Sequence, residues 1–213
     1  MNKQGEIFTV QESRRTKQLE LLSPTGEVAQ KVCLDCCKVK LISNFPRYTE
    51  GNYRPRCYDC NREHHREYSQ SIENKRVASK QNFRASEKGL PHNLTEQDII
   101  ELKVFADGRC MLTGMKVEKL EIDHVQPLSH DWLGSTPGNI ILVSPQVNNK
   151  KHKKSLLEFL DSGLSEGFVD KEQLKKTIQY LAGKNDMSPA QYIGFLRNCE
   201  ELARRNKEYW QAI

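Results

Sequence analysis

No stretch of this 213-residue chain approaches the roughly 18 consecutive apolar residues that a membrane-spanning helix needs, so a helical span is excluded. The first 20 residues, MNKQGEIFTVQESRRTKQLE, lack an apolar core and a small-residue cleavage site. A secretory leader is therefore not expected, and the chain reads as cytoplasmic. The cysteines lack an even number: there are seven, without a secretion signal, which argues against a disulfide framework. Between Asn61 and Lys88 there is neither glycine nor proline, and apolar residues are few (Tyr68, Ile72, Val77, Phe83). Residues 61–92 accordingly read as a polar helical linker that packs little. Internal repeats and low-complexity tracts are missing too. At 37% apolar and 29% charged residues, the chain is lean for one large core but too apolar for a disordered polymer. Its length bounds it at one or two domains, at ~100–200 residues each.

The net charge of +5 suits a polyanion partner without requiring one. Its distribution says more. Residues 89–147 carry 4 basic and 8 acidic side chains, and residues 148–154 then carry four lysines and no acid. An acidic stretch followed at once by a basic cluster suggests a metal site beside a phosphate site; ordinary surface variation is the plain alternative.

Four cysteines form two pairs, Cys33-Leu-Asp-Cys36 and Cys57-Tyr-Asp-Cys60, with 20 residues between them. Each C-x-x-C makes a tight knuckle, and four thiolates close a tetrahedron around a structural Zn²⁺. Pro46 and Gly51 mark a hairpin that brings the knuckles together. Cys37 is an alternative to Cys36 at poorer geometry, and His64 or His65, just past Cys60, could replace a thiolate. Cys110 and Cys199 read as isolated core thiols. Residues 32–60 are thus a zinc-binding module, preceded by an N-terminal arm (1–31) with one β-prone run, Ile7 to Val10, and room for a strand pair.

Helices follow. Thr95 with Asp98 resembles a capping box and opens a helix through Ile99, Ile100, Leu102 and Phe105 that ends near Gly108. Asp170 with Gln173, and Ser188 with Gln191, open two more. The first has the stripe Leu174, Ile178, Leu181; the second has Pro189 at its first position and the stripe Tyr192, Leu196, Cys199, Ala203. These make residues 161–213 a helical C-terminal region, which leaves three roles open: a homodimer contact, a DNA contact, or packing.

The chemistry sits in residues 121–156, EIDHVQPLSHDWLGSTPGNIILVSPQVNNKKHKKSL. Glu121 to Val125 has strand character and sets a carboxylate and an imidazole side by side. A Gly- and Pro-containing loop follows, then a second strand from Asn139 through Val143, then a helix after Pro145. On that helix Asn148 and His152 are i and i+4, so they share a face. Lys151 falls near that face, while Lys150 and Lys153 point away. Oxygen and nitrogen ligands around an open position suit Mg²⁺ or a first-row ion such as Mn²⁺. A histidine, with an unperturbed pKa of ~6.5, can act there as a general base.

This segment resembles the HNH endonuclease motif, also called the ββα-metal or His-Me finger. The resemblance rests on Asp123-His124 ending the first strand, Asn139 opening the second and Asn148 early in the helix. The separations are 15 and nine residues, and Lys151 and Ser155 also fit. The resemblance implies an α+β fold with the HNH core at 93–160. It implies that His124 is the general base, that Asp123 and Asn148 hold one divalent ion, and that His152 is a further ligand. Asn139 would pin the loop and hold the His124 ring through its backbone. The implied reaction is hydrolysis of DNA, expected to be double-stranded, leaving 5′-phosphate and 3′-hydroxyl ends. Many relatives wrap a second zinc around the motif with two more C-x-x-C pairs. Cys110, Thr113, Ser144 and Val147 stand at those positions here, so packing by Leu112, Ile122, Ile140, Leu142 and Leu156 is expected instead. The upstream zinc module resembles the Cys-rich units of phage-encoded HNH proteins and, more loosely, recombination endonuclease VII.

Bland alternatives stand beside each reading. Asn139 reads equally as a loop amide with a purely structural task, His152 as a surface helix residue, and Lys150, Lys153 and Lys154 as a solvated face. His130 reads as a surface loop residue. Lys150, Lys151, Lys153 and Lys154, with Arg54 and Arg56 of the hairpin, are the candidate DNA-backbone contacts. The competing function is a zinc-ribbon DNA-binding protein, a regulator or packaging factor, that holds DNA without cutting it. The intact Asp123, His124 and Asn148 set argues against that reading.

Overall fold

The structure, a computed structural model, describes residues 8–211. It is of mixed α+β type and divides into two compact units, one ending at Ile72 and one starting at Glu73. No helix among the described residues is long and apolar enough to cross a membrane.

The first unit begins with a four-stranded antiparallel meander: β1 (Thr9–Glu12), β2 (Leu19–Leu22), β3 (Val28–Val32) and β4 (Val39–Leu41). The β2–β3 turn closes through Gly26, at φ +83°, whose N–H reaches the Ser23 carbonyl at 2.9 Å. The expected loose arm with a strand pair is therefore two strands and most of a third in a continuous sheet; Ile7 lies outside the described residues. Buried Gln18 ties the sheet to the cysteine loops by donating from Nε2 to the Val32 and Pro55 carbonyls, both at 2.7 Å. The buried Lys31 ammonium pairs with Glu20 across two strands at 3.2 Å. Cys33, Phe45 and Cys57 form a small core. Helix α1 (Tyr58–Ser71) begins inside the second knuckle and buries no side chain.

The second unit holds α2 (Glu73–Ser86), α3 (Glu96–Ala106), β5 (Glu121–His124), β6 (Ile140–Val143), α4 (Pro145–Lys151), α5 (Leu156–Asp161), α6 (Lys171–Lys184) and α7 (Pro189–Gln211). The polar stretch read as one linker is thus two helices that fall in different units. Helix α2 is no bare connector: it packs against α3 and buries Ala78, Gln81 and Ala85. Thr95 and Asp98 form a reciprocal capping box on α3, which ends at Asp107 in the left-handed conformation, φ +46°. Ser188 and Gln191 bond reciprocally ahead of α7, and Asp170 caps α6.

Strands β5 and β6 pair antiparallel, with Asp123 opposite Ile141 and His124 opposite Ile140. All four residues of β6 are buried. Leu112, Ile140, Leu142 and Leu156 sit in the main core, with Ile122 packed against it, as the hydrophobic-packing expectation required. Ile99 and Leu102 from α3, Ile178 and Leu181 from α6, and Tyr192 and Leu196 from α7 complete that core. Burial at about 25 cal/mol per Å² of apolar surface is what holds such a short hairpin in place.

Candidate functional site

Two sites emerge, one in each unit. In the first, Cys33, Cys36, Cys57 and Cys60 bring their sulfurs within 4.8 Å of one another. Cys33 and Cys57 are buried and the other two half-buried. Cys37, the alternative ligand, is exposed at φ +54° and outside the cluster. His64 and His65 lie on α1, also outside it. Burial pushes the Cys33 thiol up, but the backbone N–H groups of Cys57, Cys36 and Asp35 outweigh it and bring it down to about 6. Cys60 is driven up to about 12 by Cys57, burial and the other two thiols. Four sulfurs that disfavour one another's charge are what a divalent cation resolves, and the donor set fits Zn²⁺. Lys40, which the sequence did not single out, donates to Cys57 Sγ at 3.3 Å and pairs with Asp59 at 3.1 Å. It supplies a positive charge beside the cluster.

The second site lies in a cavity of about 520 Å³. It is lined by Asp123 and His124 from the end of β5, Asn148 from α4 and His152 just beyond it. Arg84, Glu87 and Lys88 from the C-terminal part of α2 and its end, and Lys153, also line it. The structure thus brings together four of the five catalytic and metal candidates, with Asn139 outside the lining, and adds α2, whose sparse apolar pattern hid it. Helix α4 stops at Lys151. His152, at φ +50°, is its cap residue rather than the next position on a helical face, though its N–H still bonds the Asn148 carbonyl at 2.8 Å.

Asn139 does pin the loop. Its Oδ1 accepts from the Gln126 N–H at 2.8 Å, and its Nδ2 donates to the Gln126 and Gly134 carbonyls at 3.0 and 2.9 Å. Its own carbonyl accepts from the Val125 N–H at 2.9 Å. The expected hold on the His124 ring is made elsewhere: His124 Nε2 lies 3.0 Å from Ser135 Oγ. The loop is closely packed at both glycines. A Cβ on Gly134 would stand 1.7 Å from the Pro91 carbonyl oxygen, and one on Gly138 would strike Asn185. Buried Tyr192 donates its hydroxyl to the Gly138 carbonyl at 2.9 Å. The last two helices therefore brace this loop.

Asp123 Oδ1 accepts the His124 N–H at 2.8 Å, while Oδ2 sits 2.9 Å from Lys151 Nζ without a well-directed hydrogen bond. Lys151 is fully buried and also donates to the His124 carbonyl at 2.8 Å. This corrects its assignment as a DNA contact, since a side chain with no exposed surface cannot reach a phosphate. Arg56 differs: its Nε pairs with Asp35 at 2.7 Å while the side chain stays partly exposed. Arg54 stacks over the Tyr48 ring at 4.9 Å, and Lys150 lies 3.4 Å over Phe168; Lys150 and Lys153 are exposed and Lys154 is half-buried. Burial raises the Asp123 carboxyl, opposed by Lys151. Burial, helped by the positive charges of Arg84 and Lys151, holds the His124 imidazole down at about 4, so it is neutral at neutral pH.

The cavity passes a chemical test for a hard divalent ion. Asp123 Oδ2 is a buried carboxylate oxygen that faces the Lys151 ammonium at 2.9 Å, so this site already holds positive charge against it. Asn148 spends its Nδ2 on Glu121 Oε2 at 2.8 Å, which leaves its carbonyl oxygen as the free donor atom. Oxygen donors of this kind, with a nearby imidazole, are what Mg²⁺ or Mn²⁺ takes. Among the comparisons with known proteins, the family model described as HNH endonuclease matches residues 108–154, a span that contains β5, the pinned loop, β6 and α4. No curated protein matches the chain.

Proposed function

We propose, from an HNH endonuclease domain at residues 108–154, that the chain is a metal-dependent DNA endonuclease. The carrying observation is that Asp123, His124, Asn148 and His152 line one cavity together with Arg84, Lys88 and Lys153. A domain of this kind acts on nucleic acid, and the cationic rim suits a phosphodiester backbone. His124, buried and neutral, accepts a proton from the attacking water as its oxygen bonds to phosphorus. The P–O3′ bond then breaks and the departing O3′ takes a proton from solvent, leaving 5′-phosphate and 3′-hydroxyl ends. Asp123 and Asn148, with His152, would hold the ion. When bound, that ion supplies charge neutralisation for the scissile phosphate and the leaving oxygen. An incoming phosphate is anionic and raises the basicity of His124, which counters the effect of burial. The zinc module would position the enzyme on duplex DNA.

The test is nicking of supercoiled plasmid with Mg²⁺ or Mn²⁺. Wild-type protein should cut. His124→Ala should lose about 10²–10⁴-fold in rate, the usual worth of a positioned base, with DNA binding in a gel retained. A wild-type protein that shifts DNA yet cuts with no divalent ion tried would overturn the reading in favour of a non-cleaving binder.

A further inference from the structure

We infer that Ser135 is a positioning residue that fixes which ring nitrogen of His124 takes the proton, by relaying that ring to the backbone of helix α2. The inference rests on the nuclease reading only for its kinetic consequence; the tautomer itself follows from hydrogen-bond arithmetic.

Ser135 is completely buried. Its hydroxyl has one proton. That hydroxyl lies 2.7 Å from the Gln81 carbonyl oxygen, which has no proton to give. The serine proton therefore lies on that contact. The Ser135 oxygen then presents only lone pairs to His124 Nε2, 3.0 Å away. Two facing lone pairs in a buried site would repel, so Nε2 carries the hydrogen and donates it to Ser135. A neutral imidazole with its proton on Nε2 has its lone pair on Nδ1. No protein group among the described residues bonds His124 Nδ1, and it is the nitrogen left to act as acceptor. The assignment comes from the network, as such assignments must where hydrogens are not seen.

The relay is built on fixed parts. The Ser135 carbonyl accepts from the Asn93 N–H at 3.2 Å, and its neighbour Gly134 is wedged against Pro91 with no room for a Cβ. The Gln81 carbonyl belongs to α2, which lies outside the matched span of residues 108–154. A helix with no ligand of its own thereby sets the tautomer of the base.

Ring-¹⁵N histidine labelling and long-range ¹H–¹⁵N spectra read the tautomer directly, with the His124 signals assigned by their loss in His124→Ala. The expected result for wild-type protein is a single Nε2–H tautomer. In Ser135→Ala that signature should give way to a mixture, and cleavage at saturating DNA should fall roughly 10-fold, a fraction of what a positioned base supplies, with KM changed by less than about twofold. An Nδ1–H tautomer in the wild-type protein overturns the inference, whether or not the variant folds. A Ser135→Ala protein with unchanged tautomer and unchanged rate overturns it equally. If the wild-type protein cuts nothing, the proposed function fails, while the wild-type spectrum still decides the relay.

Discussion

Replacing Lys151 with methionine removes one charge from the most enclosed ion pair of the second unit. Lys151 Nζ serves two partners, Asp123 Oδ2 at 2.9 Å and the His124 carbonyl at 2.8 Å. Two unit charges at that separation attract by roughly 6 kcal/mol at an effective dielectric of about 20. Desolvation of both groups offsets much of that, so the pair itself adds little net stability. Breaking it is different. The variant leaves the Asp123 carboxylate buried without a counter-charge, which costs about 3–5 kcal/mol, part of it through an unpaired carbonyl at His124. The double variant Asp123→Asn with Lys151→Met buries no lone charge and should recover at least half of the loss. Urea unfolding followed by tryptophan fluorescence reports on this unit alone, because both tryptophans, Trp132 and Trp210, belong to it. The measurement is made without added divalent ion, so that no added cation stands in for the Lys151 charge beside Asp123. A single variant destabilised by less than about 1 kcal/mol, or a double variant no more stable than the single, would refute the reasoning that one buried charge neutralises the other.

Four further outcomes are expected. Cys57→Ser should lower zinc below one ion per chain and destabilise the first unit, read by metal analysis and limited proteolysis; full zinc retention would remove Cys57 from the ligand set. Glu121→Ala frees the Asn148 amide to rotate and should raise the Mn²⁺ concentration for half-maximal cleavage by roughly 10-fold, the lower end of what lost orienting partners cost. Tyr192→Phe deletes one buried hydrogen bond to Gly138 and should cost about 1 kcal/mol in urea unfolding. DNA affinity should fall as salt rises in a filter-binding series, because lysines that meet phosphates release counterions.

The paired cysteines, the order strand–loop–strand–helix and the residues Asp123, His124, Asn139 and Asn148 were legible because each rests on short spacing and residue type. The capping boxes at Thr95 and Ser188 were legible for the same reason. Helix α2 was not. Its buried face is made of Ala78, Gln81 and Ala85, small or polar residues that periodic apolar counting does not register. Lys151 misled in the opposite sense: inside KKHKK it reads as one more solvated charge, and only the hairpin packed over it, with Asp123 as partner, explains its burial. The four-stranded meander has one local signal, Ser23-Pro-Thr-Gly26 between two apolar runs, and the rest of its pairing depends on contacts between strands that residue type does not encode. Ser135 carried no sequence signal, since its importance arises from a carbonyl 54 positions away.

The bracing of the 134–139 loop by Tyr192 and Asn185 has a practical corollary. The segment bearing the reactive groups cannot be cut out and transplanted as a cassette. Severed from its last two helices, it would keep the side chains of the cavity and lose the scaffold that aims them, so a fusion or minimised version must carry its tail along.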